Sequence, residues 1–423
     1  MYVYDSTVFD RLCDPETGLY RESGSYVCEF LCYTYLMGEL NKTCIEGMAA
    51  GGAGIARIEG KTVFIDGGIP GETVLCSITE ERHSWSRAEL IEVTNAAPER
   101  VQPQCRYYGV CGGCNFQHLN YSAQCNTKTA VLRDSFIRIG GIVPPGPQMN
   151  PSEPWEYRNR MQFHILRGDN KKQFAPFGLK ARKSEGIVPV TDCPIADPGI
   201  RELLQNRTGK ALSIPPEKDR FTVYSRNGLL LNEGGISRGK TQILGKTLTL
   251  DAGVFFQSNG AMLEKLAADL RNTATGADQS RPMADLYCGA GTFAAFLADL
   301  FPCIILVEES KAALALAREN LSSFGQADFF NRRSEDWAKN AALGNYGFIV
   351  ADPPRQGLNP VLTSRLAAEG PPLFAYVSCD PATLARDSKI LLQGQYELAE
   401  LRWYDFYPQT SHIESLAVFS RKG

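Results

Sequence analysis

Two short apolar runs near the C-terminus each end on a residue that can do chemistry. Tyr376-Val377-Ser378-Cys379-Asp380-Pro381 reads as a buried strand opening onto a thiol. Ile349-Val350-Ala351-Asp352-Pro353-Pro354-Arg355 reads as a strand ending on an acid before a proline pair. In an open α/β sheet the ligand crevice lies outside the carboxyl ends of the strands. A sulfur and a carboxylate delivered there by neighbouring strands are candidates for nucleophilic and acid–base work.

A second constellation, Asp285-Leu286-Tyr287-Cys288-Gly289-Ala290-Gly291-Thr292-Phe293, sets a strand, a tight glycine turn and a helix start in sequence. Two glycines let the backbone approach a ligand, and the helix start offers free N–H groups. The dinucleotide pattern G-x-G-x-x-G is not met, because Ala294 stands at its third glycine. The next strand ends on Glu308, an acceptor for ribose hydroxyls. The combination favours S-adenosylmethionine over NAD.

A third constellation is Cys105, Cys111 and Cys114, spaced C-x5-C-G-G-C. Its glycines allow thiolates to converge on tetrahedral zinc or on a four-cysteine iron–sulfur cluster. Either needs one more ligand, with Cys193 the first choice and Cys125 the second.

The elements that must position these groups follow from pattern. After Phe255 strands alternate with helices, as in a doubly wound sheet. Ala284–Tyr287, Cys303–Val307, Phe348–Ala351 and Phe374–Ser378 read as strands, Phe293–Leu300 and Ala312–Leu321 as helices. From Cys44 to Val101, short β runs punctuated by Gly51-Gly52, Glu59-Gly60 and Asp66-Gly67-Gly68 predict a small β-barrel. Pro98 and Pro103 flank a linker. Domains are expected at 43–101 (barrel), 102–250 (central α+β) and 251–423 (catalytic sheet). Residues 1–42 show no period, and a start at Met37 would leave a self-sufficient chain. That extension is expected to be unstructured or untranslated.

A chain of 423 residues suits two or three such domains. Its apolar run Phe30–Met37 is too short to span a bilayer, so a cytoplasmic protein is expected. Thirteen cysteines then speak for catalysis or metal binding rather than disulfides. The net charge of −3 gives no global nucleic-acid signal. Tyr157–Lys183, however, holds eight Lys or Arg (158, 160, 167, 171, 172, 180, 182 and 183) against Asp169, a local charge of +7 suited to phosphate.

With these residues in view, the chain resembles the RNA uracil-5-methyltransferase family, from about residue 43 to the end. It is most similar to the ribosomal branch that carries a TRAM domain and a [4Fe-4S] cluster. The motifs are Phe255-Phe256-Gln257-Ser258-Asn259, Asp285–Phe293, Asp352–Gly357, Ser378–Asp387 and Thr410-Ser411-His412-Ile413-Glu414-Ser415. The resemblance implies a multidomain α/β protein with an OB-like TRAM barrel, a central iron–sulfur domain and a Rossmann-like S-adenosylmethionine methyltransferase domain. It implies Cys379 as nucleophile and Glu414 as base. Gln257, Tyr287, Thr292, Glu308 and Asp352 would surround cofactor and target base, and Cys105, Cys111, Cys114 and Cys193 would hold the cluster. After the third strand Arg332 and Arg333 stand where the family often has an acid or amide, leaving Glu335 or Asp336 to substitute.

The chemistry such an enzyme needs matches these residue types. Carbon 5 of uracil is a poor nucleophile until a soft sulfur adds to C6, and that sulfur must leave again. Cys379 is therefore expected to be partly exposed, with a depressed pKa from the following helix start or from Arg386. Glu414 would take the C5 proton, while Gln257 and Asp352 meet the uracil edge. The expected partner is RNA, 23S rRNA first and the T-loop uridine of tRNA as alternative, with no membrane or stable protein partner implied. Two rival classes are an adenine amino-group methyltransferase and a non-catalytic RNA-binding iron–sulfur protein. The first usually places an aromatic where Arg355 follows Asp352-Pro353-Pro354, and needs no cysteine.

Overall fold

The structure, a computed structural model, describes residues 40–166, 177–206 and 217–422. The expectation for the extension lies outside these residues up to 39. Leu40–Lys42 do not belong to it, because they pair with Ser77–Leu75 inside the barrel.

Five strands, β1 (Leu40–Met48), β2 (Ala53–Ile58), β3 (Lys61–Asp66), β4 (Thr73–Glu81) and β5 (Trp85–Asn95), close into a barrel in the order β1-β2-β3-β5-β4. Glu59 and Gly60, with φ of 50° and 80°, make the two-residue turn joining β2 to β3. Left-handed backbone at both positions matches the strand twist. Alternate residues Ile45, Ala56, Val63, Ile65, Val74, Cys76 and Ala88 fill the interior. The fully buried Glu72 fastens the barrel to its linker, accepting from Ile69 and Ala97 N–H and pairing with Arg100 at 2.5 Å.

Beyond the linker come the helix Tyr121–Ser135 and β6 (Gln148–Asn150). An antiparallel sheet follows, from β7 (Arg160–Ile165), β8 (Phe177–Lys180), β9 (Ile187–Val188), β10 (Arg220–Arg226) and β11 (Leu229–Asn232). Phe163, Phe177 and Phe221 pack edge-on and tilted against one another at its centre. A hairpin, β12 (Arg238–Ile243) and β13 (Lys246–Asp251), leads to the catalytic sheet.

That sheet is built from β14 (Met283–Leu286), β15 (Ile304–Glu308), β16 (Ala327–Asn331), β17 (Phe348–Ala351), β18 (Leu373–Ser378), β19 (Tyr396–Tyr404) and β20 (Glu414–Arg421). With β6 at one edge its order is β16-β15-β14-β17-β18-β20-β19-β6. Both faces are covered, which is why the parallel strands read as unbroken apolar runs. Phe348 and Val350 point into one core, with the helices Gly260–Thr275 and Lys311–Asn320. Ile349 and Ala351 point into the other, with Pro360–Glu369 and Pro381–Gln393.

The expected boundary at 250/251 does not divide the cores. Ile243, Leu248 and Leu250 of the hairpin pack with Leu263 and Leu266 of the catalytic unit. Cys125, Leu132 and Phe136 pack with Ala385 and Trp403, so the helix Tyr121–Ser135 also belongs there. Chain order cannot reveal this, because the apolar side of a hairpin does not state which core it covers and the helix Tyr121–Ser135 packs against residues more than two hundred positions away.

Candidate active site

The strand order reverses between β14 and its neighbours β15 and β17, and the crevice outside their carboxyl ends is a cavity of about 1310 Å³. Gln257, Tyr287, Thr292, Glu308, Asp352, Cys379 and Glu414 all line it. All seven residues singled out in the sequence for catalysis and cofactor binding thus share one space.

The glycine turn forms the cofactor half. Tyr287, Gly289 and Gly291 adopt positive φ of 61°, 55° and 74°, coiling the backbone tightly before the helix Thr292–Leu297. A Cβ on Gly291 would meet that of Ala317 at 3.0 Å, so helix packing also demands glycine there. Asp285 is fully buried and accepts from Ala294 N–H at 3.0 Å, and burial pushes its pKa up to about 8. Glu308 accepts from Gly289 N–H at 3.0 Å and Ser310 N–H at 2.7 Å, which fixes its carboxylate with lone pairs to spare. Of the two candidate substitutes after the third strand, Glu335 lines the cavity. Asp336 is instead paired with Lys339 at 2.7 Å.

The catalytic half is set by strand register. Ser378 of β18 pairs with Ser415 of β20 in an antiparallel ladder, so Cys379 and Glu414 follow as the next opposed positions. Asp352 directly follows β17 alongside, its N–H donating to Leu286 O. Glu414 is 3% exposed, and its Oε1 has no hydrogen-bond partner among the described residues. Burial, then the neighbouring Asp352, pushes its pKa well above the carboxylate range. Burial likewise brings Asp352 up to about 7. The buried Gln257 Oε1 is also unpartnered among the described residues. These are polar atoms held ready for a ligand edge.

Cys379 is partly exposed as expected, but its pKa is not depressed. Burial, then Glu414 and Asp352, push it up to about 12, against only Arg355. The helix start gives no help, because the Asp380 carboxylate already accepts from Ala382 and Thr383 N–H. Arg386 is held by Asp387 and by Gln356 O. The thiol is protonated at rest.

Arg158, Arg160, Tyr407 and His412 also line the cavity, and the sequence reading gave none of them a role there. His412 stands 3.5 Å from Arg355 and meets Tyr407 edge-on, and burial lowers its pKa to about 4. The available signal was the Arg158-Asn159-Arg160 triplet, two arginines at the entry to the strand Arg160–Ile165.

The comparisons agree with this geometry. The model of the tRNA (uracil-5-)-methyltransferase family matches residues 240–422, and that of the TRAM domain residues 44–91. A 23S rRNA (uracil(1939)-C(5))-methyltransferase of Shewanella baltica is 32% identical over 423 residues, 87% of this chain and 93% of the relative. An uncharacterized RNA methyltransferase of Treponema denticola is 32% identical over 88% of this chain and 97% of its own. The chain belongs to the RNA (uracil-5-)-methyltransferase family. The structure of the Pyrococcus abyssi tRNA (uracil-54, C5)-methyltransferase in complex with S-adenosyl-L-homocysteine shares its fold, with a TM-score of 0.70 at 22% identity over 90% of this chain and all of that one.

In this methyltransferase Cys105, Cys111, Cys114 and Cys193 line a second cavity of about 310 Å³. Cys125 is instead buried beside Leu132 in the catalytic core. Each of the four sulfurs faces an N–H donor: from Tyr107 for Cys105, Gly113 for Cys111, the Gln117 amide for Cys114 and Ile195 for Cys193. Burial nevertheless raises Cys114 to about 11 and Cys193 to about 12. Among the described residues, no three His, Cys, Asp or Glu converge closely enough to hold a metal ion.

The basic stripe is not one surface. Arg158 and Arg160 face the active-site cavity, whereas Arg182 and Lys183 lie 3.7 and 3.9 Å from Asp66 of the barrel. Lys180 is paired with Glu185, and positions 167, 171 and 172 lie outside the described residues. No described helix is long and apolar enough to cross a membrane.

Proposed function

We propose that this methyltransferase transfers a methyl group from S-adenosylmethionine to C5 of a uridine in 23S rRNA through a transient bond between Cys379 and C6. The observation that carries this reading is the opposition of Cys379 and Glu414 across β18 and β20, beside Asp352 and the glycine turn in one cavity.

Glu308, Tyr287 and Thr292 would hold the cofactor, which when bound supplies an electrophilic methyl group. Cys379 enters as a thiol, and Asp352, near pH 7 in its ionisation, accepts the proton as sulfur bonds to C6. The C5=C6 electrons move toward C5 and O4, where protonated Asp352 and the Gln257 amide can donate to the enolate. C5 takes the methyl group. Burial and Asp352 bias the Glu414 carboxyl toward the protonated form, so it acts once its own proton has passed to solvent. Its carboxylate then removes the C5 proton, the double bond re-forms and the sulfur leaves as thiolate. Asp352 returns its proton to the sulfur and Glu414 keeps the C5 proton, which restores the site. A uridine must leave any stack to reach this depth, so a looped single strand is the expected target.

For the ribosomal target, the support is a relative of that printed activity spanning nearly the whole chain. The tRNA alternative has the shared fold at lower identity. An rRNA substrate places the enzyme in the cytoplasm. We infer that the four cysteines hold a [4Fe-4S] cluster, because they line one cavity and each faces an N–H donor suited to anionic sulfur. Bound there, a cluster would be structural, neutralising thiolates that burial otherwise disfavours.

Mapping 5-methyluridine in rRNA and tRNA from a deletion strain decides the target, and loss from tRNA alone would overturn the ribosomal reading. RNA carrying 5-fluorouridine, which lacks the removable proton, should give a denaturant-stable adduct with the wild type and none with Cys379→Ala. An active Cys379→Ala would favour amino-group methylation instead.

A further inference from the structure

Residues 405–413 join β19 to β20 and run directly into Glu414. Segments distant in the chain hold this loop. Lys128 donates to Asp405 Oδ1 at 2.7 Å and to Tyr407 O at 3.0 Å. The Gln124 amide bonds twice with Gln409, at 2.9 and 3.0 Å, and the Tyr157 hydroxyl donates to Pro408 O at 2.8 Å.

Asn115 differs from these, because it reaches three parts of the molecule at once. It directly follows Cys114, and its own carbonyl accepts from the Tyr108 hydroxyl at 3.0 Å. Its N–H and that of Phe116 donate to Gln409 O at 3.1 and 3.0 Å. Its side-chain Oδ1 accepts from Ser411 N–H at 2.9 Å. Its Nδ2 donates to Ser411 Oγ and to Gly51 O of the barrel, both at 3.0 Å. The fit is close: Gly52 has φ of 87°, and a Cβ there would lie 2.7 Å from Phe116 Cε1, 2.8 Å from Asn115 Nδ2 and 3.1 Å from Ser411 Cβ.

We propose that Asn115 is a positioning residue for the methyl transfer, setting the loop that presents Glu414 and fixing the barrel against that loop through a single carboxamide. The proposal rests on the reading of Glu414 as base. Only two residues, His412 and Ile413, separate Ser411 from Glu414, and Ile413 is buried, so a displacement at Ser411 is passed on with little slack. A misplacement of about 1 Å in a reacting group costs about 100-fold in rate. Through Gly51, the same amide also sets where RNA held by the barrel meets the cavity.

The test uses the full chain, S-adenosylmethionine and a target rRNA fragment, with product and denaturant-stable protein–RNA adduct measured together. Glu414→Gln should trap the methylated adduct, because the C5 proton cannot leave. Asn115→Ala should show the same signature: product formation falls about 100-fold while adduct accumulates. Asn115→Asp keeps an acceptor for Ser411 N–H and for the Ser411 hydroxyl, but loses the donor to Gly51 O. It should keep kcat and raise KM for RNA. The proposal is overturned if Asn115→Ala matches the wild type, or if it loses adduct and product in parallel. It is equally overturned if Asn115→Asp loses kcat with KM unchanged. Absence of adduct from Glu414→Gln would instead remove Glu414 as the base, a separate failure that ends this proposal too.

Discussion

Cys379 and Glu414 are successive to a paired residue on each of two antiparallel strands, Ser378 and Ser415, and so face one another across the ladder. A sulfur and a carboxyl thirty-five positions apart in the chain become cross-strand neighbours by register alone. Burial raises the pKa of both groups, and the Glu414 charge raises that of the thiol further.

That coupling has a sign. Ionised Glu414 disfavours the thiolate, so Glu414→Gln should move the midpoint of Cys379 alkylation by iodoacetamide to lower pH, by about one unit. In the wild type, alkylation should keep rising through the alkaline range, because the folded thiol sits near 12 rather than below neutrality. Mass spectrometry of the Cys379 peptide separates it from the other thiols. An unchanged midpoint would show that the two groups do not sense one another.

Glu308 fixes the glycine turn and leaves lone pairs for a ribose. A hydrogen bond to a charged group contributes about 1.5–3 kcal/mol, so Glu308→Ala should weaken S-adenosylmethionine binding by at least about tenfold, measured by calorimetry. Equal affinity would place the ribose elsewhere.

The cysteine cavity distinguishes Cys193 from Cys125. Anaerobically purified Cys193→Ser should lose the visible absorbance and bound iron of a cluster, whereas Cys125→Ser should keep both. The reverse result would mean that the 310 Å³ cavity is not the cluster site.

Lys128 and Asp405 form an ion pair that is 1% and 0% exposed. Removing one partner strands a buried charge, so Lys128→Met should cost about 3–5 kcal/mol, read as a lower urea midpoint. Replacing both partners with apolar residues should recover much of it. If the single change were as mild as the double, the pair would carry no such penalty.

Much of the site was legible because its residues sit at element ends. Cys379, Asp352 and Glu308 each close an apolar run, and the glycine turn has a fixed local geometry. The pKa of Cys379 was not legible. It is raised by burial, then by Glu414 and Asp352, while Asp380 already caps the helix start and Asp387 engages Arg386, all arrangements that sequence leaves open. That the hairpin before residue 250 packs with the helix after it was not legible for a similar reason, since an amphipathic hairpin does not state which core it covers.

The amino-acid order alone determined the strands, the glycine turn, the barrel's punctuated β pattern and the residue types of the chemistry, because these follow from local backbone preference and periodicity. Only the tertiary structure decided that Glu414 meets Cys379, that Cys193 rather than Cys125 joins the other three cysteines, and that Asn115 ties the barrel to the catalytic loop. Those pairings depend on strand register and long-range packing, which arise only when distant segments bury their surfaces together.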